Sequence, residues 1–207
     1  MSIIAKSITE QIYDIIKEKI LLQEYKVGSK IDMNEIAEEH DISIMPVRDA
    51  LNKLSHQGLV LNKSRVGFYV RKYSKEEIKN IMELRIMFET YCLKKHFNNI
   101  DKSKIRNIYV KTQTQESNQR EIFDKIDADL HYQFIKSSNN NFLINEYNKI
   151  YDQIVLFKHL DEKRIELANN EHCRLIESIL NDHKEQAAKN IELHIENVKN
   201  SIIEKIQ

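Results

Sequence analysis

Turn-forming residues are scarce in this sequence and unevenly spread. Its 207 residues hold three glycines and one proline, and all four lie within the first 67. Tight turns and hairpins favour residues that accept positive φ, whereas joints between helices manage with polar side chains. The distribution predicts a turn-bearing N-terminal module followed by a domain made of helices. Cysteine is scarce too: Cys92 and Cys173 form no CxxC pair, which excludes a cysteine-based zinc ribbon and a disulfide scaffold and suits a reducing cytoplasm. No stretch reaches the roughly 20 apolar residues of a membrane span, and no apolar run follows a basic start, so a cytoplasmic protein without membrane contact is expected. Charge has no overall sign, with 32 basic and 32 acidic residues, so the global balance names no partner. The 31% charged and 41% hydrophobic content fits a folded globular chain rather than a disordered one.

The first module reads in order. "SITEQIYDIIKEKILL" repeats isoleucine at 8, 12, 15, 16 and 20, close to one helical face. "YKVGSK" is a glycine turn, and "DMNEIAEEHDI" a short helix. "IMPVRDALNKLSHQG" puts Val47, Ala50, Leu51 and Leu54 on one face and ends at Gly58, a natural residue for the position just past a helix. "LVLNKS" and "VGFYVRK" alternate as two strands around a turn at Asn62–Ser64. Three helices and a hairpin make a winged helix-turn-helix. "RKYSKEE" at 71–77 carries a Ser74–Glu77 capping box, giving predicted domains over 1–73 and 74–207.

Charge sorts within this module. Residues 1–42 carry five basic and nine acidic side chains, whereas 43–72 carry six basic ones and only Asp49. A basic third helix and hairpin suit a surface that faces phosphates. Pro46 stands in the opening turn of that helix, where its missing N–H has no partner to lose and its φ is preset. Ser43 is placed as the N-cap.

"ISIMPVRDALNKLSHQGLV" resembles the helix-turn-helix of the GntR family of bacterial repressors, whose usual form is near V-S-R-x-P-V-R-E-A-L-x-x-L-x-x-x-G-L-V. The resemblance implies operator DNA as partner, with Arg48 a DNA contact on the recognition helix and Ser43 beside it. It also implies a wing in which Gly67 lets the backbone approach the minor groove, with Arg65 as the basic arm. Ile44 replaces the family's arginine, and Met45 stands where threonine is frequent. The loss of a guanine reader, worth roughly 1–3 kcal/mol, leaves apolar contact with thymine methyls as the natural substitute.

Beyond residue 75 the pattern stays helical, with polar breaks near 98–103, 138–141, 161–164 and 181–183. Residues 104–121 look helical but less amphipathic, and six antiparallel helices would form a bundle. Asp127 and His131, four apart, share a helix face and can serve one ion, while His172 and His194 lie on two later helices. By spacing alone these four are more readily packed or surface residues than ligands. "MELRIMFE", "DADLHYQFIKSSNNNFL" and "EHCRLIESILNDHKEQAAKNIELHI" resemble the FCD ligand-binding domain of the FadR-type GntR branch. That resemblance implies an all-helical effector-binding and dimerisation domain. In it Asp127, His131, His172 and His194 would ligate zinc, nickel or manganese, with positions left for water or an effector. Arg85 is either a contact for a small carboxylate effector or a partner for Glu89. Asn139 replaces a turn glycine, in a position asparagine tolerates.

The whole reads as a mainly α-helical, homodimeric DNA-binding regulator, expected to be a repressor, controlled by a small organic acid at a metal site. One rival keeps the DNA binding but makes the second domain a metal-stabilised dimerisation bundle without effector. A metal-dependent enzyme is the other; it lacks an obvious general base, since Asp129 lies off the ligand face and only Glu171 is otherwise near in sequence. The Ile44 and Met45 substitutions predict an AT-rich operator. Selection from a random duplex pool is expected to return an AT-rich half-site, and a GC-rich consensus would contradict this.

Overall fold

A computed structural model describes residues 6–114, 119–161 and 164–206, which fall into two compact units, Met1–Ser74 and Lys75–Gln207. In the first unit α1 (Ile8–Leu21) opens with a capping box. The Ser7 hydroxyl accepts from the Glu10 amide, and the Glu10 carboxylate accepts from the Ser7 amide. Ile12, Ile16 and Ile20 of α1 are buried; Ile8, also in the sequence repeat, is exposed. The first strand, β1 (Lys30–Ile31), leads into α2 (Met33–Glu39), whose N-cap Asp32 accepts from the amides of Asn34 and Glu35. Then come α3 (Ile44–His56), β2 (Val60–Lys63) and β3 (Gly67–Val70).

The helix α3 starts at Ile44, two residues before Pro46. The proline is therefore the third helical residue, still among the first four amides that have no intrahelical acceptor. Ser43 is its N-cap by position, but its hydroxyl makes no capping bond, contrary to the sequence expectation. The C-terminus closes as expected. Gly58 takes φ 81°, its amide donates to Ser55, and Leu59 donates to Leu54, the paired bonds of a glycine-terminated helix.

The sheet is antiparallel in the order β1-β3-β2, so the hairpin gains a third strand that the sequence pattern did not reveal. The hairpin turn lies at residues 64–66 rather than at 62–64. Asn62 and Lys63 are held in register with Phe68 and Gly67, and Arg65 bends the chain at φ 62°. The core gathers Ile16, Ile20, Val47, Ala50, Leu51 and Leu54 with Leu59, Phe68 and Val70 of the hairpin region. Tyr73 donates a hydrogen bond to the Gly58 carbonyl, tying the end of the unit to its helix C-terminus.

The second unit is helical throughout. It comprises α4 (Lys75–His96), a 3-10 turn (Phe97–Asn99), α5 (Lys102–Thr112), α6 (Arg120–Ser137), α7 (Asn141–Lys158), α8 (Ile165–Leu180) and α9 (Lys184–Lys205). The expected helix over 104–121 is instead two: α5 ends at Thr112 and α6 begins only at Arg120. Asn140 caps α7 through the amides of Phe142 and Leu143, and Asn139 takes φ 50°, so the glycine-free turn holds. The long helix α4 packs on α6, α7 and α9, and α8 packs on α5 and α9. Among the described residues no helix is long and apolar enough to cross a membrane.

Candidate functional site

In the second unit, polar residues are buried where an ordinary bundle would place leucine. Arg85 and Glu89 come from α4, Asp127 and His131 from α6, His172 from α8 and His194 from α9, none more than 3% exposed. Asp127, His131, His172 and His194 each offer a ligand atom, and these atoms lie within 4.8 Å of one another. Asp127 Oδ1 is 3.5 Å from both His131 Nε2 and His172 Nε2. The rings of His172 and His194 are 4.6 Å apart, and Phe123 stacks on His172 at 5.7 Å.

Carboxylates behind the cluster set which nitrogen of His131 and of His194 faces it. Glu89 Oε2 lies 2.5 Å from His131 Nδ1, and Glu171 Oε2 lies 2.7 Å from His194 Nδ1. In each case Nδ1–H donates outward, which turns Nε2 inward. Glu89 is held in turn by Arg85 Nε (2.8 Å) and the Tyr147 hydroxyl (2.7 Å). Glu171 is held by Arg164 (2.6 Å) and Asn197 (2.8 Å), so it is committed to positioning rather than available as a base. Lys158 donates to Asp127 Oδ2, leaving Oδ1 to the histidines.

The Nε2 atoms of His131, His172 and His194 are buried without a hydrogen-bond partner among the described residues. Buried polar atoms are rarely left so, because each forfeits its hydration without return. Burial, with the charges around it, drives the pKa of His172 well below its ordinary value and that of His194 to about 4, so both rings are neutral at pH 7. Burial also opposes a charge on His131, but Glu89 and Asp127 outweigh it and raise that pKa. Asp127 resists the same burial through Lys158 and His131 and stays well below the carboxylate range. One carboxylate oxygen and three inward nitrogens are the donor set of a divalent transition-metal site.

In the first unit, a groove of about 660 Å³ runs between α3 and the wing, lined by Arg48, Asn52, Asn62, Lys63, Arg65 and Gly67 among others. Arg48 is exposed and makes no ion pair among the described residues. Gly67 takes φ 128°, and a Cβ there would meet Lys30 at 3.2 Å. Ser43, Ile44 and Met45 do not line this groove; Met45 stands 55% exposed at the head of α3. Asn52 and Asn62, bonded at 3.3 Å, were not singled out in the sequence because nothing in it pairs a helix with a strand ten residues on. Lys158 and the roles of Glu89 and Glu171 toward histidine were likewise missed. Only the adjacency of Glu171 to His172 gave a signal, and its partner is His194.

Glu89 ties Arg85 to His131, so its removal strands a buried guanidinium. Glu89→Ala is expected to cost ~3–5 kcal/mol of stability. The double variant Arg85→Leu/Glu89→Leu should recover much of that loss. Chemical denaturation that finds the single variant within about 1 kcal/mol of wild type would contradict the arrangement.

Residues 8–70 match the bacterial regulatory proteins of the gntR family, and residues 80–197 match the FCD domain. The chain is 23% identical over 193 residues to the HTH-type transcriptional regulator YdhC of Bacillus subtilis, covering 89% of this chain and 86% of that protein. It is 24% identical over 188 residues to the Nta operon transcriptional regulator of Aminobacter aminovorans, covering 88% and 89%. Among solved structures, the Zn²⁺-bound FCD domain of the transcriptional regulator TM0439 is 36% identical. It aligns with 64% of this chain and 96% of its own at a TM-score of 0.61. A GntR regulator from Rhodococcus sp. RHA1 is 17% identical, with 98% and 100% covered and a TM-score of 0.80, which speaks to the fold alone. These families comprise regulators rather than enzymes, and with both of its units matched the chain belongs to the GntR family as a DNA-binding transcriptional regulator carrying an FCD domain.

Proposed function

We propose that the protein is a metal-dependent repressor that binds palindromic operator DNA as a homodimer and releases it when a small organic acid occupies the second domain. The observation that carries this reading is the set of three buried, unpartnered Nε2 atoms facing Asp127. Asp127, His131, His172 and His194 would hold the ion, with zinc, nickel and manganese all compatible with their chemistry. That TM0439 holds Zn²⁺ in its FCD domain supports zinc as the first ion to try. When bound, the ion supplies a Lewis-acidic centre for a carboxylate oxygen.

The protein's own groups do the rest. Glu89 and Glu171 fix the two ring orientations, and Lys158 orients Asp127. Arg85 keeps both roles open to it: its Nε holds Glu89, and its buried Nη1, without a partner among the described residues, retains a donor for an effector. On the DNA side Arg48 and Arg65 flank the groove, Gly67 permits close backbone approach, and Met45 is exposed for thymine methyls. Ser43 keeps its hydroxyl free for a phosphate. Dimerisation follows from a palindrome, whose half-sites need two recognition helices about one helical turn apart. Effector control requires that the acid bind the two functional states unequally.

Fluorescence anisotropy on the selected operator tests this reading. With zinc-loaded protein, at least one of acetate, lactate and succinate is expected to weaken DNA binding tenfold or more, and Asp127→Asn should abolish the response. Operator affinity unmoved by every acid, at full metal loading, would favour a metal-stabilised dimerisation bundle instead.

A further inference from the structure

A cavity of about 30 Å³ opens beside the cluster, lined by Asp127 and His194 of the cluster together with Arg120, Lys158, Asp161 and Arg164. Arg120 is the first residue of α6, and Arg164 is the N-cap of α8. Neither helix has a side-chain cap among the described residues, and the first turns of both line this cavity through Arg120, Phe123, Arg164 and Ile165. The arginines are themselves under-used. Arg120 Nε donates to Asp124 at 3.0 Å, and Arg164 Nη2 to Glu171 at 2.6 Å. Arg120 Nη2 and Arg164 Nη1 are buried without an acceptor among the described residues, and the Arg164 side chain is only 10% exposed.

Charge bookkeeping makes the demand explicit. Each carboxylate here is already matched: Asp124 by Arg120 and His159, Asp127 by Lys158, Glu171 by Arg164, and Asp161 by Lys205. A divalent ion held by Asp127 and three neutral imidazoles would add two positive charges that no residue in the set offsets. A monocarboxylate removes one of them and leaves both guanidinium donors unused. A ligand with two negative charges removes both and supplies the missing acceptors. Guanidinium forks favour planar oxyanions such as carboxylate.

We propose that the effector carries two anionic groups: one directed at the Asp127–His194 side of the cavity, and a second, carboxylate or phosphate, held by Arg120 and Arg164 at the N-termini of α6 and α8. This rests on the metal-site reading above and adds the arginine subsite to it. Lys158, bound to Asp127, links the two ends. A cavity of this size holds little more than water, so the ligand is short and the side chains lining the cavity give way to admit it.

Calorimetric titration of zinc-loaded, full-length protein tests the subsite. Malonate, succinate and glutarate are compared with propionate, butyrate and valerate, and phosphoglycolate with glycolate. At least one dianion is expected to bind tenfold or more tightly than its monoanionic counterpart. A carboxylate pair or the phosphate pair showing the gap identifies the second group. Arg120→Gln should erase the advantage without changing monoanion affinity or metal content. Arg164→Gln should also erase the advantage, compared at equal metal loading because Arg164 steadies Glu171 behind His194. Equal affinities within every pair, or an advantage that survives both substitutions, overturn the subsite while leaving the metal reading intact. Binding of no acid at all, at one metal per subunit, overturns the subsite and the carboxylate-effector reading together.

Discussion

Burying ionisable groups in a helical bundle is costly, and this protein's second unit is organised around meeting that cost. Arg85, Glu89, Asp127, His131, His172 and His194 all lie in the interior. An isolated charge there would forfeit several kcal/mol of hydration, so each must be matched by a partner of fixed geometry. The matches run across helices: Arg85 and Glu89 on α4, Asp127 and His131 on α6, Tyr147 and Lys158 on α7, Glu171 and His172 on α8, His194 and Asn197 on α9. Among the described residues the Nε2 atoms of His131, His172 and His194 stay unmatched, as do His172 Nδ1 and Arg85 Nη1. A network that fixes two of the three rings from behind and leaves all three Nε2 atoms open is arranged to receive something.

The same wiring explains how occupancy could reach beyond the site. The His131 and His194 rings are each braced by a carboxylate from another helix, and each of those carboxylates is braced by a cation. A ligand that draws on Arg120 or Arg164 competes with Asp124 and Glu171 for the same guanidinium groups, and so bears on the N-termini of α6 and α8. Packed interiors answer such shifts by changing between discrete arrangements rather than by yielding gradually. That property suits a sensor fused to a DNA-binding module.

Much of this was legible in the sequence, for identifiable reasons. The recognition helix could be read because proline, glycine and apolar spacing act locally: at the end of α3 the Gly58 amide bonds Ser55 three residues back and the Leu59 amide bonds Leu54 five residues back. The Asp127–His131 pair could be read because a four-residue step returns to the same helix face. Local rules fail where partners are distant. β1 has two residues and declares itself only by pairing with β3. Glu89 meets His131 across 42 positions, and Lys158 meets Asp127 across 31, with no periodicity to mark either. The Ser43 hydroxyl shows the reverse case, in which a sound local preference is not used.

Metal content is the measurement that bears most directly on the central claim. Elemental analysis of protein purified without chelator or histidine tag, beside His172→Ala, should find close to one equivalent of a divalent transition metal per subunit in wild type and little in the variant. The same result should hold after dialysis against metal-free buffer. Absence of metal in both, with added zinc, nickel or manganese leaving the melting temperature of the wild type unchanged, would contradict the account and reduce the cluster to packing.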